Sequence, residues 1–278
     1  MLDVSAPINS GRPKYVSNNY PYLRIPNSLM KSLQQPQKRM SNQGNNDVSN
    51  GLRPPLPYAE IVVVRHGETT WNASAKIQGH LDVELNAVGR QQAIATADRL
   101  SKESHVSAVY TSDLKRASET AEIIAKSCNL PEKKVIRDPE LRERHLGDLQ
   151  GLVYHDIAKL NPKAYQAFCS HKSDQEIPGG GESLDQLHLR CTSALERIAK
   201  KHTGERVVVV SHGGTIREFY KRAAPRSLPM GKVMNASVNV FHISENGDAW
   251  IIKTWGDISH LKGSGFLNNA FGGDGKSG

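Results

Sequence analysis

The stretch Ile61-Val62-Val63-Val64-Arg65-His66-Gly67-Glu68-Thr69 decides how this chain is read. Its β-branched residues run without alternation, as in a strand covered on both faces. A cation, an imidazole and a glycine follow at once. The same pattern recurs downstream, where Val207-Val208-Val209-Val210 runs into Ser211-His212-Gly213-Gly214-Thr215. A further strand-like segment, Val106–Tyr110, leads into Thr111-Ser112-Asp113-Leu114-Lys115-Arg116.

Helical patterns lie between these strands. Asn86 suits an N-cap, with Ala93, Ala97 and Leu100 following at helical spacing. Ser112 or Asp113 would cap a second helix, striped by Ala117, Ala121 and Ile124. Ser183-x-x-Gln186 is a capping box ahead of Leu184, Leu187, Cys191, Leu195 and Ile198. Val238–Ile243 and Ala249–Thr254 alternate around Asn246-Gly247, a hairpin signal. Residues 131–182 are less regular and carry Pro139, Pro162, Pro178 and Gly179–Gly181; they read as an excursion with one short helix, roughly residues 153–169. Alternating strands and helices predict a three-layer α/β/α sandwich with a mainly parallel central sheet. No internal repeat is present.

The folded domain is expected over residues 58–262. Residues 1–57 are rich in Pro, Asn, Ser and Gln, lack an apolar period and read as a disordered tail. They carry Arg12, Lys14, Arg24, Lys31, Lys38, Arg39 and Arg53 against Asp3 and Asp47, which is +5 of the formal +8. The basic balance is therefore largely a property of the tail, and a nucleic-acid surface, which needs a patch on a folded face, is not expected. The basic, acid-poor tail also fits a targeting extension to a chloroplast or mitochondrion; otherwise a cytoplasmic location is expected. The Gly-rich residues 263–278 read as a mobile tail. No run approaches the roughly 18 apolar residues of a membrane span. Cys128, Cys169 and Cys191 show neither a disulfide framework nor metal spacing.

In open α/β sheets, ligands bind beyond the carboxyl ends of the strands. Here those ends carry Arg65, His66, Arg116 and His212, with helix N-termini that favour anions. Arginine offers a planar fork matched to phosphate oxygens. One neutral imidazole can attack phosphorus while a second donates to an equatorial oxygen. Phosphoryl transfer needs positioning and charge stabilisation above all, plus a proton for the leaving alcohol. Glu143, in Leu141-Arg142-Glu143-Arg144-His145-Leu146-Gly147, is the candidate acid. Each residue has a plainer reading. A lone strand-end histidine is often structural, Arg116 could be a surface residue beside Lys115, and Arg142-Glu143-Arg144 could be a solvated turn. Gly179–Gly181 resemble a phosphate cradle, but no Lys-Ser/Thr follows; a flexible lead into the helix at Ser183 is the better reading. The remaining histidines, including His80, show no metal spacing.

Arg65-His66-Gly67-Glu68-Thr69-x-Trp71-Asn72 resembles the signature of the histidine phosphatase (phosphoglycerate mutase-like) superfamily. The resemblance continues through Gln78-Gly79-His80-Leu81-Asp82, Ser112–Ala117, Leu141–Gly147, Pro178–Ser183 and Ser211–Gly214, from about Tyr58 to about Leu261. It implies that His66 becomes the phosphohistidine and that Arg65, Arg116 and His212 hold the phosphate, helped by Asn72 and the Gly213 backbone. Glu143 would donate and accept the proton, and Gln78 and Gly79 would line the substrate mouth. No metal and no cofactor are implied. The expected partner is a small-molecule phosphate ester of a sugar or organic acid, in carbohydrate metabolism, and a homodimer is compatible with the family. Glycolytic mutases of the family carry Tyr where this chain has Leu146, an Arg-Arg pair where residues 148–182 hold no arginine, and Asn where Gly214 stands. These departures favour a phosphatase over a phosphoglycerate mutase-type isomerase. A regulatory binding protein on the same fold is the alternative of another class.

Overall fold

A computed structural model describes residues 57–226 and 231–262; the expectations for residues 1–56 and 263–278 lie outside them. Six strands form one sheet, in the order β3-β2-β4-β1-β5-β6. They are β1 (Tyr58–Arg65), β2 (Ala108–Thr111), β3 (Val135–Arg137), β4 (Arg206–Ser211), β5 (Val238–Ser244) and β6 (Trp250–Asp257). β1 pairs in parallel with β4, β4 with β2, and β2 with β3. β5 and β6 are the expected hairpin, added antiparallel to β1.

Ile61–Val64 lie in the middle of this sheet and are fully buried. Period-two alternation sends their side chains to opposite faces. Ile61 and Val63 pack against Leu187, Cys191, Leu195 and Ile198 of α6 (Leu184–Lys201), and Ile216 and Phe219 of α7 (Gly213–Ala223). Val62 and Val64 pack against Ala97 and Leu100 of α2 (Ala87–Ser101), and Ala117, Ala121 and Ile124 of α3 (Lys115–Ser127). Helices therefore cover both faces, and the unalternating valine runs are the consequence. The short α1 (Thr70–Ala73) follows β1 directly. The excursion has its own small core of Ile77, Leu146, Leu149, Ile157, Ala164 and Ile177.

The capping expectations divide. Asn86 accepts from the Gly89 amide at 2.7 Å, and Ser183 and Gln186 form the full capping box. At α3 the cap position is Leu114, which makes no side-chain cap bond. Asp113 is instead held bidentately by Arg142, and the Lys115 amide donates to Asp82 from across the loop at 2.7 Å. The single helix expected over residues 153–169 is two: α4 (Ile157–Leu160) and α5 (Pro162–Phe168). Pro162 lacks an N–H and forces Asn161 out of helical geometry, and the Asn161 side chain then caps α5 through the Ala164 amide. β3 was not expected; it is a half-exposed edge too short to show a period.

Candidate active site

β1 and β4 are neighbours, with Arg65 in register with Ser211. His66 and His212 therefore emerge side by side, their ring centroids 5.1 Å apart. The His66 amide donates to the Ser211 carbonyl at 3.0 Å. Gly67 permits the next turn: a Cβ there would lie 2.3 Å from the Gly89 carbonyl oxygen at the start of α2. The Gly67 amide donates to Thr120 of α3, and the Glu68 amide to Gln92 of α2. Both helices on this face thus clamp the loop.

The His66 ring has one determined orientation. Its Nδ1 lies 2.7 Å from the Gly67 carbonyl oxygen. A carbonyl only accepts, so Nδ1 carries the proton and Nε2 keeps its lone pair. Burial, and after it the charges of Arg116 and Arg65, hold the His66 pKa well below the usual histidine range; the Gly67 bond offsets part of this. His66 is therefore a neutral imidazole with a free nucleophilic nitrogen at neutral pH. His212 is lowered likewise, by burial first and then by Arg116, His66 and Arg65. Both of its ring nitrogens are buried without a hydrogen-bond partner among the described residues, a costly state that a substrate oxygen would relieve.

Arg65 and Arg116 are 2% and 1% exposed. Arg116 donates to the Leu81 and Gly79 carbonyls at 3.0 and 2.8 Å, and Arg65 to the Val233 carbonyl at 2.7 Å. Burial pushes the Arg116 pKa down to about 10, against the Glu143 and Asp82 charges, so it remains a cation at neutral pH. With the α7 N-terminus opening at Gly213 directly after His212, fixed positive charge converges on the two imidazoles.

Glu143 is buried, and both carboxylate oxygens are held by backbone. Oε1 accepts from the Arg144 amide at 2.8 Å and Oε2 from the Gly214 amide at 3.0 Å. Gly214 lies in the first turn of the helix that follows His212, so the carboxylate is tied to the second histidine's own segment. Asn72 is buried and accepts through Oδ1 from the Thr69 amide at 3.1 Å. Gln78 accepts from the Thr69 hydroxyl at 3.0 Å, and the Gly79 carbonyl orients Arg116. All the site residues expected from the sequence thus fall at or beside one edge of the sheet.

Other residues of this edge were not anticipated. Asn235 donates to the His66 carbonyl at 3.0 Å and to Asn72 Oδ1 at 3.4 Å. It lies in the irregular approach to β5, where no local pattern marks it. His80, which shows no metal spacing in the sequence, is half-buried, and its Nε2 donates to the Glu143 carbonyl at 2.7 Å. Gly179 sits in a tight turn ahead of Ser183: its φ is +84°, and a Cβ would lie 2.0 Å from the Asp148 carboxylate.

Residues 61–258 match the profile of the Histidine phosphatase superfamily (branch 1). Phosphoglycerate mutase-like protein 4 of Arabidopsis thaliana is 62% identical over 223 residues, covering 80% of this chain and 96% of the relative. The metal-independent phosphoserine phosphatase of the same plant is 56% identical over 217 residues, covering 78% and 89%. Among solved structures, a mutant phosphoserine phosphatase from Entamoeba histolytica in complex with phosphoserine superposes with a TM-score of 0.61 at 25% identity, covering 73% of this chain and 99% of that one. The likeness spans the whole of the sheet edge just described, and the chain belongs to the histidine phosphatase superfamily.

Proposed function

We propose that the chain hydrolyses a small alkyl phosphate of the phosphoserine type through a phosphohistidine on His66. The observation that carries this reading is the His66 Nδ1 bond to the Gly67 carbonyl, which leaves Nε2 unprotonated within the field of two buried guanidinium groups. In the first step Nε2 attacks phosphorus and the P–O ester bond breaks. Glu143, as the carboxylic acid, gives its proton to the departing alkoxide. In the second step Glu143 takes a proton from water, water oxygen attacks phosphorus, and the P–N bond breaks to release inorganic phosphate. Arg65, Arg116 and His212 hold the equatorial oxygens throughout, where the transferring group's charge is spread.

Phosphoserine as the substrate class is supported by the named activities of the relatives at 56% and 25% identity. Water as the acceptor is supported by Leu146: the position where glycolytic mutases carry Tyr is fully buried here in the excursion's core. The test supplies O-phosphoserine, and 3-phosphoglycerate with and without its bisphosphorylated primer. Inorganic phosphate and 2-phosphoglycerate are both measured. Phosphate release from O-phosphoserine exceeding 2-phosphoglycerate formation is the expected result. Primer-dependent 2-phosphoglycerate formation outpacing phosphate release from either compound would overturn it.

A further inference from the structure

Arg190 projects from α6, about one turn beyond the capping box, into the back of the loop that carries Glu143. Nε and Nη2 donate to the two oxygens of Glu182 at 2.6 and 2.8 Å. Nη1 donates to the Glu140 and Arg142 carbonyls at 2.8 and 2.9 Å, and Nη2 to the Glu143 carbonyl at 2.7 Å. Arginine has five N–H donors in a fixed fork, and every one is used. Glu182 passes the constraint on, because its Oε2 also accepts from the His145 amide at 2.7 Å. The loop is thereby held on both sides of Glu143, at residues 142 and 143 by Arg190 and at residue 145 by Glu182.

We propose that Arg190, acting through Glu182 and the 140–145 loop, is a positioning residue for the proton transfer by Glu143. Neither side chain belongs to the phosphate-binding set. Arg190 touches the carbonyl of Glu143, not its carboxylate, and the carboxylate itself rests on the Arg144 and Gly214 amides. Removing the fork would leave the Glu143 carbonyl to His80 and the Arg142 carbonyl to Thr215, and the loosened backbone of Glu143 could drift while His66, Arg65, Arg116 and His212 stay where the sheet puts them. A drift of about 1 Å at a reacting group is enough to cost roughly 100-fold. The loss should therefore fall on proton donation and not on phosphate binding or nucleophilic attack. The ion pair is only partly exposed, 17% for Arg190 and 18% for Glu182, so solvent does not readily replace it.

The proposal rests on the acid role of Glu143, and the experiment separates the two. kcat/KM is measured for 2,4-dinitrophenyl, 4-nitrophenyl and phenyl phosphate, because it reports phosphoryl transfer to His66, the step in which the alcohol departs. Glu143→Gln, Arg190→Met, Arg190→Lys and Glu143→Gln/Arg190→Met are compared with wild type, with thermal melts alongside. General-acid help is worth about 10²- to 10⁴-fold for a poor leaving group. Arg190→Met is expected to cost phenyl phosphate about ten-fold or more beyond its cost to the dinitrophenyl ester, in the same direction as Glu143→Gln. The double variant should be no slower on phenyl phosphate than Glu143→Gln alone. Arg190→Lys keeps the charge but not the fork; it should show the same leaving-group bias and carries the test if Arg190→Met fails to fold. A loss equal across the three esters, or an additive double variant, overturns the Arg190 proposal while leaving Glu143 standing. A Glu143→Gln loss that ignores the leaving group overturns the acid reading itself, and the Arg190 proposal with it.

Discussion

Replacing His212 by Gln should flatten the pH dependence of stability. His212 is fully buried, and its pKa is held well below the ordinary histidine value by burial, with Arg116, His66 and Arg65 adding to the effect. In the unfolded chain it titrates near the ordinary value of about 6.5. Above that value both states hold the ring neutral, and it adds nothing to the pH dependence. As the pH falls below about 6.5 the unfolded state gains a proton that the folded state refuses, so stability is lost until the folded pKa is reached. Between pH 7.0 and 5.5 this linkage amounts to at most about 1 kcal/mol for one such histidine. For a domain of this size that is up to about 2–4 °C in Tm. His66 contributes in the same sense, and His80 and His260, also lowered by burial, add to the wild-type slope. The clean quantity is thus the difference between wild type and His212→Gln, measured by thermal melts at both pH values. Phosphate and sulfate must be left out of the buffer, because an anion bound only to the folded state would mask the effect. A Tm drop from pH 7.0 to 5.5 as large in His212→Gln as in wild type would refute the claim that this ring is buried in its neutral form.

Three further outcomes follow from the site. His66→Ala should reduce turnover of 4-nitrophenyl phosphate by at least about 10³-fold, since no nucleophile remains; activity within about tenfold of wild type would remove His66 from that role. EDTA should leave the rate unchanged, because the guanidinium groups of Arg65 and Arg116 supply the positive charge; a large loss restored by a divalent cation would point to a different mechanism. Asn235→Ala should destabilise by about 1–3 kcal/mol, because it strips a donor from the buried His66 carbonyl and Asn72 oxygen. It should also lower kcat/KM for 4-nitrophenyl phosphate, and unchanged kcat/KM would show that the His66 loop holds its place without it.

The parts of the site legible in the sequence are those where one residue's position follows from its own strand. A buried run ending in Arg65-His66 or Ser211-His212 declares both the sheet and the edge at which ligands bind. Arg116 was readable because it opens a helix behind another such run. Glu143 was weaker, since its loop has no periodicity and its charged neighbours look like a solvated turn. What could not be read are residues whose meaning lies in distant partners. Asn235 meets His66 across 169 positions, and Arg190 meets Glu143 across 47. Neither is flanked by anything but ordinary helix or loop sequence. The helix break at Pro162 was readable from proline chemistry, and the expectation of one helix gave that residue too little weight. The capping of α3 was not readable, because the donor's partner, Asp82, arrives from 33 positions away.

The same distant contacts bear on which acceptor receives the phosphoryl group. Hydrolase and mutase share the first step, so the choice depends on what surrounds the phosphohistidine once the alcohol has left. A mutase must keep that alcohol in place and exclude water. By the resemblance, glycolytic mutases carry a tyrosine after Glu-Arg-His and, in the excursion, an Arg-Arg pair that binds the substrate carboxylate. Here the corresponding side chain, Leu146, is buried among Ile77, Leu149, Ile157, Ala164 and Ile177 and serves the excursion's own packing. The excursion's arginine-free stretch offers Lys159, Lys163 and Lys172 as its long cations, and all three are exposed. The Glu143 carboxylate, meanwhile, is fixed by two backbone amides and a braced loop, an arrangement suited to a base that must wait for a small mobile nucleophile. Holding a bulky alcohol demands side chains that grip it, whereas activating water demands one well-aimed carboxylate, and the proposed hydrolysis makes the second demand on these residues.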